Sequence, residues 1–332
     1  MPLTPDRIMN LASAFYDSRV LFAASDLGVF GKLAELGSAD AGALASALGL
    51  DPRGARLLLD ACVAVGLLAK EGEAYRNTPE SAAFLVPGKP GDLSGAIRYN
   101  RDVYPAWGRL AELAQTGRPV EKPEIHLGEN ADRTRTFVLA MHGRALAIGR
   151  AAVHALDLKD RTQLLDVGGG PGTYSSLIAQ ANPSIRCTVL DLPDVVKVAE
   201  ELIRAQGMQE RVKTLPGDYH TTAFPGKNDA VIFFGVLHQE SPDSIRDLFR
   251  RAWESLVPGG CVAVLDLMTD RTHTQPRFSA LFAVNMALTT QNGWVFSDEE
   301  VRGWLTGAGF TGFSCRPLPP PMPHWLATAR KA

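Results

Sequence analysis

Two rhythms of apolar positions divide the chain. From residue 159 onward short apolar runs alternate with helical repeats, the order expected of strands and helices wound into an open α/β sheet. The runs that read as strands are "QLLDV" (163–167), "CTVLD" (187–191), "RVKTL" (211–215), "AVIFFG" (230–235) and "CVAVLDL" (261–267), followed by a late pair at "FSCRP" and "HWLATARK". Between the fourth and fifth, Ile245, Leu248, Phe249, Ala252, Trp253 and Leu256 recur at helical spacing, behind Ser241 as cap and Pro242 at the first helical position. His238, Gln239 and Glu240 are then loop, at the carboxyl end of a strand.

The first part of the chain has a different rhythm. "SADAGALASALGL" and "DPRGARLLLDACVAVGLL" read as two helices joined by a tight turn, and "AKEGEAYRNT" as a small hairpin, which together make a winged helix. Such a unit suggests DNA, but charge argues otherwise. Residues 1–90 carry ten acids and eight bases, and Asp51, Arg53, Arg56 and Asp60 cancel on the second helix. A helix that reads a groove brings a basic footprint. The unit reads instead as an association domain. An apolar N-terminal helix with Ile8, Leu11, Ala12, Phe15 and Val20 needs a partner surface, and a second copy of the chain supplies one.

Composition adds exclusions. With 34 basic and 36 acidic residues, 45% apolar and 21% charged, the 332-residue chain has room for two domains and no pull toward nucleic acid or an anionic membrane. Cys62, Cys187, Cys261 and Cys315 are scattered without a C-x-x-C pair, which argues against a disulfide framework or zinc site and suits a reducing cytoplasm. No apolar run reaches 18 residues and "MPLTPDRIMN" lacks a signal-peptide core, so a cytoplasmic protein is expected.

The chemistry concentrates in "LLDVGGGPGTYSSL". A strand ends at Asp166, passes Gly168, Gly170 and Gly172, and opens a helix. The spacing D-x-G-x-G-x-G brings the third glycine one place too early for a dinucleotide loop, and no Lys-Ser or Lys-Thr follows for a phosphate loop. An acid at the strand tip also repels phosphate. Asp191, 19 residues beyond Gly172, has the spacing to accept both ribose hydroxyls, and Asp218 ends the next strand. A glycine-lined loop, an acid near a cationic group and an acid for ribose describe S-adenosylmethionine better than NAD.

In order and spacing, "ASDLGVFGKL", "RLLLDACVAVGLL", "YRNTPESAAFL", "DVGGGPG", "VLDLP", "GDY", "VLH" and "GAGF" resemble S-adenosylmethionine-dependent O-methyltransferases with an N-terminal winged-helix dimerisation domain. The family includes plant phenylpropanoid and isoflavone enzymes and bacterial enzymes of polyketide, phenazine and carotenoid pathways. The resemblance implies a Rossmann-like sheet of order 3-2-1-4-5-7-6 with its last strand antiparallel. It implies a winged-helix-like dimerisation domain over 1–95, a helical linker contributing to the substrate pocket over 96–158, and a catalytic domain over 159–332. The glycine loop would hold the methionine part of the cofactor and Asp191, with Leu192, the ribose. Gly217, Asp218 and Tyr219 would flank the adenine.

His238 matches the family's catalytic histidine, and Asp266 an acid that orients it. The resemblance thus implies a general-base pair without a metal. A phenol, with a pKa of about 10, needs such help at neutral pH. Pocket candidates by resemblance are Tyr104, Trp107, Met141 and His142 on helices of the linker, and Phe282, Asn285, Met286 and Trp294 later. His142 could equally be a second base or an exposed residue. There are departures. Phenol methylators of the family continue His-Asp-Trp or His-Asn-Trp, where this chain has Gln239 and Glu240, and their second acid falls on Val295. A hydroxyl acceptor is expected, with S- or C-methylation, a silent ligand-binding regulator and a nicotinamide enzyme as the alternatives.

Overall fold

Strands buried on both faces need apolar residues at nearly every position, and the runs at 163–167, 230–235 and 261–267 come close to it. The computed structural model describes residues 3–121, 130–320 and 322–332. The chain divides into two units, Met1–Asp102 and Val103–Ala332. Residues 122–129 of the expected linker lie outside the described residues.

The first unit contains α1 (Asp6–Ser13), α2 (Phe15–Asp26), α3 (Val29–Leu36), α4 (Ala41–Leu48), α5 (Pro52–Ala64), β1 (Leu68–Glu71), β2 (Ala74–Asn77) and α6 (Pro79–Phe84). Asp40 and Asp51 accept the Ala43 and Gly54 N–H groups at the starts of α4 and α5, both at 2.8 Å, caps that contribute about 1 kcal/mol each. The antiparallel hairpin β1–β2 turns through Gly72 at φ +59°, and Tyr75 on β2 is fully buried with its hydroxyl donating to Asp60 at 2.6 Å. Phe30, Leu33, Leu44 and Leu59 pack around it. The expected single N-terminal helix is instead two. Ala14 stays helical but donates to Leu11, a tightened i→i−3 bond that separates α1 from α2. No residue of α1 is buried, and Ile8, Leu11 and Tyr16 are more than half exposed.

Helix α7 (Ser94–Trp107) runs across the boundary between the units, followed by α8 (Leu110–Thr116) and the 25-residue α9 (Ala131–Ala155). Then come β3 (Gln163–Val167), α10 (Thr173–Ala181), β4 (Arg186–Asp191), α11 (Pro193–Ala205), β5 (Val212–Pro216) and β6 (Asn228–Phe234). The chain finishes with α12 (Pro242–Ser255), β7 (Leu256–Asp266), α13 (Arg277–Thr289), α14 (Asp298–Gly307), β8 (Phe310–Pro317) and β9 (Trp325–Lys331).

The sheet runs β5-β4-β3-β6-β7-β9-β8, which in strand numbers of this unit is 3-2-1-4-5-7-6. Strands β5 to β7 are parallel, and β9 enters antiparallel between β7 and β8. This is the Rossmann-like class I methyltransferase sheet that the resemblance implies. One core lies on the α12–α14 side, with Phe233, Phe249 and Phe296, and the other on the α9–α11 side, with Ile178, Ile185 and Ile232. Strand β7 starts five residues before the expected "CVAVLDL", because "VPGG", which reads as a turn, bulges within the strand at Gly259 (φ +75°) and leaves Leu256 paired to Asn228. Carboxylates at the ends of β3, β4 and β7 (Asp166, Asp191, Asp266) all fall on one edge of the sheet.

Candidate active site

The glycine loop follows β3. Gly168 (φ +66°) donates to Leu190 at 2.8 Å, and a β-carbon on it would stand 2.7 Å from Val236. Gly172 (φ +67°) would place one 2.8 Å from Ile203, and Gly169 would place one 2.6 Å from the Asp166 carboxyl. Gly170 differs: its φ is +53° but nothing lies within 4 Å of where its β-carbon would be. The loop is packed on its inner side and open at Gly170.

Two acids lie against this loop. Asp191 accepts the Gly170 N–H through Oδ2 and the Leu192 N–H through Oδ1, both at 2.7 Å. Burial pushes its carboxyl up to about 6, against those two N–H groups. Asp166 is fully buried and takes the Ser175 hydroxyl on Oδ2 at 2.7 Å, while its Oδ1 has no partner. Burial pushes it up to about 7, with the nearby Asp191 carboxylate adding to the shift. An orphaned carboxylate oxygen under a bare glycine backbone suits a cationic or zwitterionic group. A carboxylate offers about four lone pairs, so Asp191 retains acceptors for ribose hydroxyls. The residues present therefore fit a sulfonium nucleoside.

After β5, Gly217 donates to the Asp191 carbonyl at 2.9 Å and has no room for a side chain, since a β-carbon would lie 2.2 Å from the Thr222 hydroxyl. Asp218 closes its own turn by accepting the His220 N–H at 2.8 Å. The Tyr219 hydroxyl donates to Glu240 Oε1 at 2.5 Å, and burial raises its pKa well above the usual phenol value. Glu240, buried, also accepts the Ser244 hydroxyl at 2.6 Å.

His238 lies in a short 3₁₀ turn, Leu237–Gln239, and not in an open loop as the sequence suggests; the Glu240 and Gln239 N–H groups bond back to Leu237 and Val236, which tightens the chain before α12. Its Nδ1 is 2.7 Å from Asp266 Oδ1. Asp266 also accepts the His238 and Leu267 backbone N–H groups, at 3.3 and 2.8 Å, so it is an acceptor on every side and sets Nδ1 as the protonated nitrogen. Nε2 is then the basic atom, and it makes no hydrogen bond among the described residues. Trp294 fixes this turn from outside, its backbone N–H donating to the His238 carbonyl at 2.9 Å and its indole N–H to the Glu240 carbonyl at 2.8 Å. Its ring packs on Phe296 and Trp304.

Phe282 stands edge-on to the His238 ring at 5.3 Å and packs with Leu267, Met286 and Val295. The Trp107 indole donates to Asn285 at 2.9 Å, which brings two of the pocket candidates together from positions 178 residues apart. Tyr104 and Met141 are half-buried on α7 and α9. His142 is half-buried and turned to α10: its Nδ1 is 2.7 Å from the Thr173 hydroxyl at the start of that helix, and burial lowers its pKa. Thr173 and Ser175 adjoin the glycines without belonging to their motif, and no motif marks Arg144, Tyr174 or His324. Arg144 and His324 are 180 residues apart, and no local pattern joins them. Among the described residues no group of three or more His, Cys, Asp or Glu gathers as metal ligands would, and no helix is long and apolar enough to cross a membrane.

Comparison with known proteins identifies a family. The family model of the O-methyltransferase domain matches residues 124–311 and that of the O-methyltransferase dimerisation domain residues 9–87. The chain is 34% identical to the tetracenomycin polyketide synthesis 8-O-methyl transferase TcmO of Streptomyces glaucescens, over 98% of this chain and 97% of that one. It is 32% identical to the 3-hydroxy-5-methyl-1-naphthoate 3-O-methyltransferase of Streptomyces sahachiroi, over 92% and 89%. Human N-acetylserotonin methyltransferase, solved in complex with SAM, superposes with a TM-score of 0.88 at 28% identity, over 100% of this chain and 99% of that one. Matched in both domains and over nearly all of its length, and built around a loop fit for a sulfonium nucleoside, the chain belongs to the S-adenosylmethionine-dependent O-methyltransferase family.

Proposed function

We propose that this enzyme methylates an aromatic hydroxyl of a small molecule, with His238 Nε2 as the general base and Asp266 as the group that holds its ring. The observation that carries the reading is the 2.7 Å contact between His238 Nδ1 and Asp266 at the carboxyl end of the sheet. When bound, S-adenosylmethionine supplies a methyl group on a sulfonium, whose departure leaves a neutral thioether. The chain has to align the acceptor oxygen and remove its proton. Asp166, Gly168, Gly170, Gly172, Asp191 and Leu192 would hold the methionine and ribose parts, and Gly217, Asp218 and Tyr219 the adenine. Trp107, Met141, Phe282, Asn285 and Met286 would line the acceptor side, with Tyr104 and His142 at its margin and Trp294 supporting the base from behind. The two bacterial relatives are named for hydroxyls on a polyketide and on a naphthoate, which favours a phenolic acceptor.

The exposed apolar face of α1 supports a homodimer through residues 1–95, and the near-neutral charge balance argues against a nucleic acid or anionic membrane partner. We read 96–158 as the linker that helps form the pocket and 159–332 as the catalytic domain. Four free thiols fit a cytoplasmic setting. Transfer of label from a tritiated methyl donor to a panel of small phenols, thiols and acids tests the reaction. Label on a phenolic oxygen is expected; label on sulfur or carbon alone overturns it.

Asp191→Ala should weaken S-adenosylhomocysteine binding by about 1.5–3 kcal/mol, read by calorimetry, as charge-assisted hydrogen bonds are lost. Unchanged affinity would remove Asp191 from the ribose site. The raised carboxyls add a pH dependence. Asp166 and Asp191 titrate at about 7 and 6 in the folded chain, above the ordinary 3.8, so their contribution to stability is full below about pH 4 and is lost as pH rises through 6 and 7. A cationic ligand prefers the ionised carboxylates, so affinity should change in the opposite direction, rising roughly tenfold between about pH 5.5 and 7.5. Asp166→Asn should flatten the upper part of that curve; a flat wild-type curve would show that the ligand does not depend on the ionised acids.

A further inference from the structure

Arg144 has no function in the reading above. It projects from α9, half-buried, with its guanidinium 5.9 Å from the centre of the Phe282 ring and one nitrogen 3.2 Å from His324 Nε2. It forms no ion pair among the described residues. The acid nearest in function, Asp266, is spent on His238 and two backbone N–H groups. A partly desolvated guanidinium without a counter-charge is costly unless something negative completes it.

Its partner is unusual in the same direction. His324 is 6% exposed, and its Nδ1 has no hydrogen-bond partner. Since a guanidinium only donates, Nε2 accepts and Nδ1 carries the proton, so a buried N–H is left unsatisfied. Burial, with the Arg144 charge, lowers the His324 pKa to about 4 and keeps the ring neutral. A third donor lies close by. Tyr174 packs edge-on against Phe234 and its hydroxyl makes no hydrogen bond among the described residues; burial raises its pKa, and the Arg144 charge within electrostatic reach works against that rise. The cluster adjoins the proposed base, because the Phe282 ring lies against both Arg144 and His238.

We infer that Arg144, assisted by His324 and Tyr174, is a subsite for a carboxylate carried on the acceptor, and that the enzyme selects aromatic hydroxy acids over their neutral analogues. The inference rests on the reading of His238 as the acceptor side. A planar guanidinium matches a carboxylate with two parallel hydrogen bonds, which fixes ring orientation as well as affinity. Charge balance agrees. The sulfonium has Asp166 and Asp191 on its own side, whereas Arg144 has no carboxylate paired with it among the described residues, and an anionic acceptor supplies one.

The test uses the whole protein saturated with S-adenosylhomocysteine and two probes of equal shape, 2-naphthoate and 2-naphthamide, measured by calorimetry. The acid should bind at least about tenfold more tightly than the amide, as loss of a charge-assisted pair implies. Arg144→Gln should bring the acid down to the amide's level with S-adenosylhomocysteine affinity unchanged. Arg144→Lys, which keeps the charge and the stem if the glutamine variant folds poorly, should retain only part of the preference. Equal binding of acid and amide by the wild type overturns the inference, as does a preference that survives in Arg144→Gln. Methyl transfer to 3-hydroxy-2-naphthoate separates the two readings. An acid preference without transfer leaves the subsite standing and removes the reaction assignment; equal transfer to the acid and its amide does the reverse.

Discussion

His238→Ala is expected to lower turnover on an ordinary phenol about 10²- to 10⁴-fold, the range for losing a positioned base, while S-adenosylhomocysteine affinity stays within about twofold. The split follows from position. His238 follows β6, and the residues proposed for the nucleoside follow β3, β4 and β5. Asp266→Asn should cost less, about 10- to 100-fold, through a different fault. An amide has one acceptor oxygen where Asp266 uses two, so its NH₂ must face either the His238 backbone N–H or the imidazole Nδ1 together with the Leu267 N–H. In the second arrangement the imidazole is driven to its other tautomer and Nε2 ceases to be basic. Acceptor acidity sharpens the experiment. A nitrophenol that is already ionised should lose little in His238→Ala, and equal losses for acidic and ordinary phenols would show that the histidine aligns the acceptor and does not take its proton.

The glycine loop gives the second large effect, and its three positions should separate. Gly168→Ala must hold a left-handed φ, about 1–2 kcal/mol, and crowd Val236, about 1–3 kcal/mol more, so a loss near 2–5 kcal/mol is expected in urea unfolding. Gly172→Ala meets Ile203 in the same way. Gly170→Ala carries the left-handed cost of about 1–2 kcal/mol and no clash, so it should stay folded. Its added methyl stands on the open side of the loop, and S-adenosylhomocysteine affinity should fall roughly 10- to 100-fold. A Gly170→Ala protein with full affinity would show that the open side is not where the cofactor lies.

The middle of the sheet was legible in the sequence because its central strands are mostly apolar: β3 begins and ends where "QLLDV" does. Helix α12 was equally legible, since Ser241, Pro242 and the spacing of Ile245, Leu248, Phe249 and Ala252 all state the same thing. The bulge in β7 was not, because Pro-Gly-Gly signals a turn and only pairing with Asn228 keeps that segment in the strand. The break at Ala14 was hidden for a similar reason: alanine carries no signal against helix. In the site, residues tied to a local motif could be named, among them Asp166, Asp191 and His238. What a side chain is spent on could not. Trp294 reads as a pocket aromatic, but its N–H groups hold the His238 turn; Glu240 reads as a departure from a pattern, but it anchors Tyr219 and Ser244. Arg144 and His324 meet only through the tertiary fold.

The central pairing of the sheet, Leu164 on β3 beside Ala230 on β6, also marks a seam in the enzyme's design. Loops from one side of it carry the residues proposed to hold the donor, and loops from the other side carry His238 and Asp266. Changes made on one side should therefore add independently to changes on the other, since distant sites without shared partners are close to additive. Such modularity would let one scaffold be retooled for a new acceptor without rebuilding its grip on the methyl donor. The seam is stitched at Glu240, which Tyr219 and His220 reach from the donor side. Substitutions there are the ones that should be felt on both sides at once.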